Sequence, residues 1–171
     1  YRLGYAFVKV TGTTRIALGY DARLSAIELK SAFTRGACLA GATIVDIGLV
    51  SSDMLSFATC HYADIEAGVM ITASHNPKEY NGLKSLAHSG EPYNFKKYGV
   101  EMVDIMNSMD NSRHSDEGRI QVSENTEHGS FVPQDDGKIE HRNVLADWTT
   151  HILSFVGRDV DFSQYTIVAD G

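Results

Sequence analysis

Cysteine is almost missing from this 171-residue chain, which has two, Cys38 and Cys60. Two isolated thiols match neither zinc-ligand spacing nor a disulfide scaffold. They read as reduced core residues, with Cys38 inside an apolar helical pattern. No apolar run approaches the roughly 20 residues that cross a bilayer. No cationic-then-apolar start resembles a signal peptide. These absences lead to the expectation of a cytoplasmic protein with no membrane partner. A basic excess is missing as well: 15 Lys and Arg stand against 22 Asp and Glu, a net charge of −7. Nucleic-acid binding wants a basic face, so no nucleic acid is expected as a partner. There is no internal repeat. What is present, 43% hydrophobic and 22% charged residues, is the composition of a globular protein. The length suffices for one domain with a sizeable core and some surplus.

Patterning predicts alternating helices and strands. A helix tail over Tyr1–Val10 precedes a strand over Arg15–Tyr20. Ser25 with Glu28 three positions on has the form of a capping box. The helix it opens carries Leu29, Phe33, Ala37 and Ala40 on one face and stops near Gly41. A strand over Thr43–Ile47, a helix over Met54–Tyr62, a strand over Gly68–Ile71, another from Leu83 and a helix over Tyr93–Met106 follow. From Asn107 to Glu140 the composition turns polar, which predicts an exposed connection with a short strand over Arg119–Val122. His114, His128 and His141 in or beside it match no zinc spacing. Val144, Leu145, Trp148, Ile152, Phe155 and Val156 restore helical spacing over Asn143–Val156, and Thr166–Ala169 begins a strand. The rhythm is that of an α/β layered domain.

The most informative stretch runs from Gly68 to Lys84. An apolar run, Ala67-Gly68-Val69-Met70-Ile71, has the character of a strand buried on both faces. It would deliver Ser74 to the carboxyl end of a central strand, where open α/β sheets place their ligand sites. Asn76-Pro77 initiates a turn. Asn81-Gly82 favours a tight reversal that would bring Lys84 back toward Ser74. An acidic chain that is to meet a phosphate needs a local remedy, and His75, Lys78 and Lys84 lie close together in sequence, opposed only by Glu79. A serine among cationic donors suits phosphoryl chemistry. On residue types alone, a solvated or capping turn hydroxyl is the alternative for Ser74. Exposed loop charge is the reading for Lys78 and Glu79.

Thr72-Ala73-Ser74-His75-Asn76-Pro77 followed by Tyr80-Asn81-Gly82-Leu83-Lys84 resembles the phosphoserine loop of the α-D-phosphohexomutase superfamily. Gly19-Tyr20-Asp21-Ala22-Arg23-Leu24-Ser25 resembles that family's Gly-x-Asp-x-Arg-x-Ser segment. Gly41 to Gly48 resembles its Gly-x-x-Val-x-Asp-x-Gly segment, and Tyr165 to Gly171 resembles the opening strand of its second domain. Two departures stand out. Val50-Ser51-Ser52-Asp53 replaces a frequent Val-Pro-Thr-Pro, where the serines could equally cap the next helix. Tyr20 replaces a frequent arginine and removes one positive charge.

The resemblance implies a three-layer α/β/α sandwich with a mixed sheet. Residues 1–140 would be domain I, and residues 141–171 a linking helix and the first strand of domain II. It implies that Ser74 is the phosphorylated nucleophile and, through its phosphate, the ligand this chain offers to Mg²⁺. Lys84 would be an electrostatic partner and proton carrier. His75 would be a donor to phosphate or substrate, with a loop-stabilising role as its alternative. Asp21 and Arg23 would form a structural pair anchoring the strand-to-helix turn. The implied activity interconverts mannose or glucose 1- and 6-phosphates through a hexose bisphosphate. Hexose phosphate and hexose bisphosphate are the implied partners, and a homodimer is left open. Family members are typically four-domain enzymes, so this chain alone is expected to be inactive. Phosphoglucosamine mutase and a non-catalytic sugar-phosphate-binding module are the alternatives. A serine hydrolase ranks last, because Thr72-Ala73-Ser74-His75-Asn76 lacks the Gly-x-Ser-x-Gly elbow.

Overall fold

The computed structural model describes residues 1–111 and 138–155. Strands form at Arg15–Tyr20 (β1), Thr43–Leu49 (β2), Ala67–Ile71 (β3), Leu83–Ala87 (β4) and Ile139–His141 (β5). Helices span Arg2–Thr11 (α1), Ala26–Leu39 (α2), Ser52–His61 (α3), Phe95–Asn111 (α4) and Leu145–Ser154 (α5). The five strands make one sheet in the order β4-β3-β1-β2-β5. β1 pairs in parallel with β2 and β3, β2 pairs in parallel with β5, and β3 and β4 are antiparallel. The sheet is therefore mixed, and helices cover both faces.

Side chains alternate across the pleat and feed two cores. Ile16, Leu18, Val69 and Ile71 pack with Phe7 of α1, Phe33 of α2 and Met102 of α4. Ala17, Val45, Ile47 and Met70 face the other way, onto Leu55 and Ala58 of α3. All five residues of β3 are buried, as its unbroken apolar run requires. Ser51 caps α3, its side chain accepting from the Met54 N–H at 3.3 Å. The expected three-layer α/β/α arrangement is what the chain adopts.

Several local expectations are corrected. Ser25 precedes α2 but makes no side-chain cap, and its backbone (φ −96°, ψ 7°) is not the extended one that a capping box uses. Its hydroxyl accepts from Asn81 Nδ2 instead, at 3.2 Å. Leu29 lies on the exposed side of α2, while Phe33 and Ala37 are buried as expected. Cys60 is exposed and is not a core thiol, whereas Cys38 is half-buried. The polar connection is shorter than expected at both ends. α4 continues to Asn111, and Ile139-Glu140 belongs to the edge strand β5. The expected strands over Arg119–Val122 and Thr166–Ala169, together with His114 and His128, lie outside the described residues.

β5 is secured at the amino edge of the sheet by charge. Arg15 of β1 donates to both Glu140 carboxylate oxygens (2.6 and 2.8 Å) and to Asp64 Oδ2 (2.9 Å). Arg142 donates to both Asp64 oxygens at 3.0 and 2.7 Å. The guanidiniums of Arg142 and Arg15 hold the Asp64 carboxyl far below the usual carboxylate range. Arg15 likewise lowers Glu140. A carboxyl depressed in the fold contributes stability that is fully present above its unfolded value, about 3.9 for aspartate, and is lost as pH falls below it. Denaturant midpoints should therefore drop on acidification below about pH 4, and less steeply for Asp64→Asn.

Helices α1 and α2 meet at glycines. A Cβ on Gly36 would lie 1.9 Å from the Tyr1 carbonyl oxygen and 2.8 Å from the Tyr5 nitrogen. Both neighbours are main chain and cannot swing aside. Gly36→Ala should destabilise the fold by about 1–3 kcal/mol, read from denaturant unfolding.

Candidate functional site

β3 ends at Ile71, and the next residue, Thr72, is still buried; Ser74 to Tyr80 are exposed at the carboxyl edge of the sheet. Ser74 has φ 56°, the one positive φ of a non-glycine residue among those described. Holding a serine in the left-handed region costs about 1–3 kcal/mol and persists only where its surroundings over-determine it. The turn around Ser74 closes with the Asn76 N–H on the Ala73 carbonyl (3.2 Å). A second turn closes with the Tyr80 N–H on the Pro77 carbonyl (3.0 Å). The Thr72 N–H then meets the Gly82 carbonyl at 3.0 Å, and the ladder to β4 continues from Ile71 opposite Leu83. The reversal is thus spread over the whole loop. Gly82 is not in the left-handed region, so Asn81-Gly82 is not the tight hairpin turn expected of it. Asn81 Oδ1 accepts from the Gly82 N–H at 2.9 Å.

The neighbouring carboxyl end of β1 supplies what holds this loop. The expected Asp21–Arg23 pair forms, with Arg23 Nε donating to Asp21 Oδ2 at 2.9 Å. Its reach is wider than a strand-to-helix anchor needs. Arg23 Nη1 donates to the carbonyls of Asn76 (2.8 Å), Pro77 (2.8 Å) and Tyr80 (3.0 Å), and Nη2 donates to the carbonyl of Ser74. The Thr72 hydroxyl donates to the same Asp21 Oδ2 at 2.6 Å and accepts from the Ser74 N–H at 3.0 Å. Ser25, two residues past Arg23, takes Asn81. Alternate residues of one short segment, Asp21, Arg23 and Ser25, therefore all grip the loop. Asp21 Oδ1 is buried without a hydrogen-bond partner among the described residues.

The Ser74 hydroxyl and the side chains of His75, Lys78 and Lys84 make no hydrogen bond or ion pair among the described residues, and all four residues are exposed. Lys84 stands on β4 opposite Met70, short of the loop along the ladder. It lines a cavity of about 640 Å³ beside β4, with Ser52, Met70 and Tyr93 among the other walls. Ser74 and His75 do not line that cavity. The arrangement offers one exposed hydroxyl on an open edge, with His75 and Lys78 in the same exposed loop and Lys84 on the strand that follows it. What the sequence reading missed is Arg23 as a clamp on loop carbonyls. Its one visible signal was the i, i+2, i+4 spacing of Asp21, Arg23 and Ser25 directly after a strand.

Comparison with known proteins bears on the same residues. A family model described as phosphoglucomutase/phosphomannomutase, alpha/beta/alpha domain I, matches residues 1–110. A phosphomannomutase of Escherichia coli is 30% identical over 169 residues, covering 97% of this chain and 32% of its own length. A probable phosphoglucosamine mutase of Thermococcus gammatolerans is 41% identical over 92 residues, 54% of this chain and 20% of its own. Among solved structures, a phosphoglucomutase/phosphomannomutase family protein from Burkholderia thailandensis superposes with a TM-score of 0.62 at 24% identity, over 90% of this chain and 31% of that one. The last likeness concerns the fold. The chain spans about a third of the length of the E. coli relative.

Thr72→Val keeps the shape of the side chain but takes a donor from Asp21 and an acceptor from the Ser74 N–H. It should lower stability by about 1–3 kcal/mol in denaturant unfolding and speed hydrogen exchange at the Ser74 amide.

Proposed function

Because this chain belongs to the phosphoglucomutase/phosphomannomutase family, whose α/β/α domain I it matches over residues 1–110, we propose that Ser74 is the phosphoryl carrier of a phosphohexose mutase. The observation that carries this reading is the exposed Ser74 hydroxyl at the tip of a buried strand, set in left-handed backbone and without a hydrogen-bond partner among the described residues. Phosphorylated, it would carry about −1.5 to −2 charges and three acceptor oxygens. In the forward half-reaction, the bond between phosphorus and Ser74 Oγ breaks and a bond to the free hydroxyl oxygen of a hexose 1- or 6-phosphate forms. That hydroxyl's proton is passed to the departing Ser74 Oγ, with Lys84 proposed as the electrostatic partner and proton carrier between the two oxygens. The product is a hexose bisphosphate. After the bisphosphate turns around, its other phosphoryl group returns to Ser74 Oγ, and the isomeric hexose monophosphate departs.

Positioning and charge neutralisation are most of what a protein must supply for such a transfer. His75 and Lys84 are the donors proposed for phosphate and substrate. A magnesium ion would offset transition-state charge when bound. For it, this chain would supply one ligand, a phosphate oxygen on Ser74. No three His, Cys, Asp or Glu side chains gather as ligands among the described residues, so these residues do not by themselves build a magnesium site. Mannose and glucose phosphates are the substrates proposed. The similarity to a probable phosphoglucosamine mutase supports glucosamine phosphate as the second reading.

In the whole protein, Ser74→Ala should abolish interconversion of hexose 1- and 6-phosphates and remove phosphate from the intact mass. Lys84→Ala should lower kcat by about 10²–10³-fold with an unchanged circular dichroism spectrum. Full activity in the Ser74→Ala protein would overturn the assignment. The ratio of kcat/KM for mannose, glucose and glucosamine 1-phosphates would decide the sugar.

A further inference from the structure

Ser74 has an unfavourable backbone, and its fixing can be traced bond by bond. The Ser74 N–H is held by Thr72 Oγ1 at 3.0 Å, and its carbonyl by Arg23 Nη2. The peptide groups on both sides of its Cα are therefore tied. The two ties converge: Thr72 Oγ1 donates to Asp21 Oδ2 at 2.6 Å, and Arg23 Nε donates to that same oxygen at 2.9 Å. A closed hydrogen-bonded ring thus runs from Ser74 through Thr72, Asp21 and Arg23 and back to Ser74. Three further loop carbonyls point at Nη1 of the same guanidinium. The Arg23 side chain is 9% exposed, and each of its nitrogens has a partner.

We infer that Arg23, seated by Asp21, is a positioning residue for the phosphoryl transfer: it holds the Ser74 backbone in the left-handed conformation that presents the hydroxyl at the open edge. This rests on Ser74 being the phosphoryl carrier. Arg23 acts through Ser74: Nε is committed to Asp21, Nη1 to the carbonyls of Asn76, Pro77 and Tyr80, and Nη2 to the carbonyl of Ser74 itself. A residue that only braced the turn between β1 and α2 would need the Asp21 pair and nothing in the loop. The arginines at the opposite edge behave in that simpler way: apart from the Asp64 carbonyl that accepts from Arg15 Nε, their recorded acceptors are carboxylates. Lysine cannot substitute at this site, since a point-like ammonium lacks the planar fork that meets several carbonyls at once.

The test compares the native whole protein with Arg23→Ala, Arg23→Lys, Asp21→Asn and Ser74→Ala, assayed with a hexose 1-phosphate, glucose 1,6-bisphosphate and magnesium. Arg23→Ala should lower kcat by about 10²-fold, the cost of a small misplacement of a reacting group. KM for the hexose phosphate should stay unchanged, as a residue acting only through Ser74 requires. Millimolar guanidinium chloride should restore part of the lost kcat in Arg23→Ala and none in Arg23→Lys. Should Arg23→Ala fail to fold, Asp21→Asn, which keeps the side-chain shape, should still lower kcat at constant KM. Native kcat in Arg23→Ala, or in a folded Asp21→Asn, would overturn the inference, as would a raised KM at native kcat or a folded Arg23→Ala that guanidinium does not rescue. In those cases, an inactive Ser74→Ala would leave the phosphoryl-carrier reading standing. An active Ser74→Ala would remove that reading itself.

Discussion

One carboxylate oxygen, Asp21 Oδ2, is the point through which the serine loop is tied to the sheet. It accepts from the Arg23 guanidinium and from the Thr72 hydroxyl, and through these two it governs both peptide groups of Ser74. Charge-assisted hydrogen bonds are stronger than neutral ones, and two on one oxygen make a stiff joint. The joint depends in turn on the sheet. β1 and β3 are adjacent and parallel, so their carboxyl ends emerge side by side, and the Asp21 N–H still reaches the Ile71 carbonyl at 3.3 Å. The buried strands thus set the distance across which the polar clamp works.

What was legible in the sequence was whatever is local. The five apolar residues of β3 announce a strand buried on both faces, and Ser51 announces the start of α3, because both signals lie within one element. Ser25 carries an equally good local signal and forms no cap, since its hydroxyl is taken by Asn81, 56 positions away. β5 is hidden for a related reason. It is three residues long with only Ile139 apolar, and it is held by Arg15 across 125 positions of chain. The serine loop was visible as a motif. The arginine that organises it was visible only as one member of a pair, because its remaining partners are main-chain carbonyls, which leave no trace in side-chain identity.

The distribution of charge follows the same division of labour. The chain carries a net charge of −7, yet several of its acidic groups are committed to cations: Asp64 and Glu140 to Arg15 and Arg142, Asp46 to Lys30 at 2.6 Å, and Asp21 to Arg23. His75, Lys78 and Lys84 have no such partners among the described residues. From Ser74 to Lys84 two exposed lysines, Lys78 and Lys84, stand against one exposed glutamate, Glu79, so this stretch is positive on a molecule that is negative as a whole. Local fields of this kind act over roughly a Debye length, about 8–10 Å at ordinary salt, so they serve docking at the edge more than long-range attraction.

A clamp that grips carbonyl oxygens is indifferent to side chains. Arg23 meets Ser74, Asn76, Pro77 and Tyr80 only through atoms that every amino acid possesses. The outward-facing positions between them, His75, Lys78 and Glu79, can therefore be exchanged without disturbing the scaffold beneath. Divergence can then retune the chemistry displayed at this rim while the hydroxyl keeps its place, so variation in the loop and invariance of its foothold are mutually compatible.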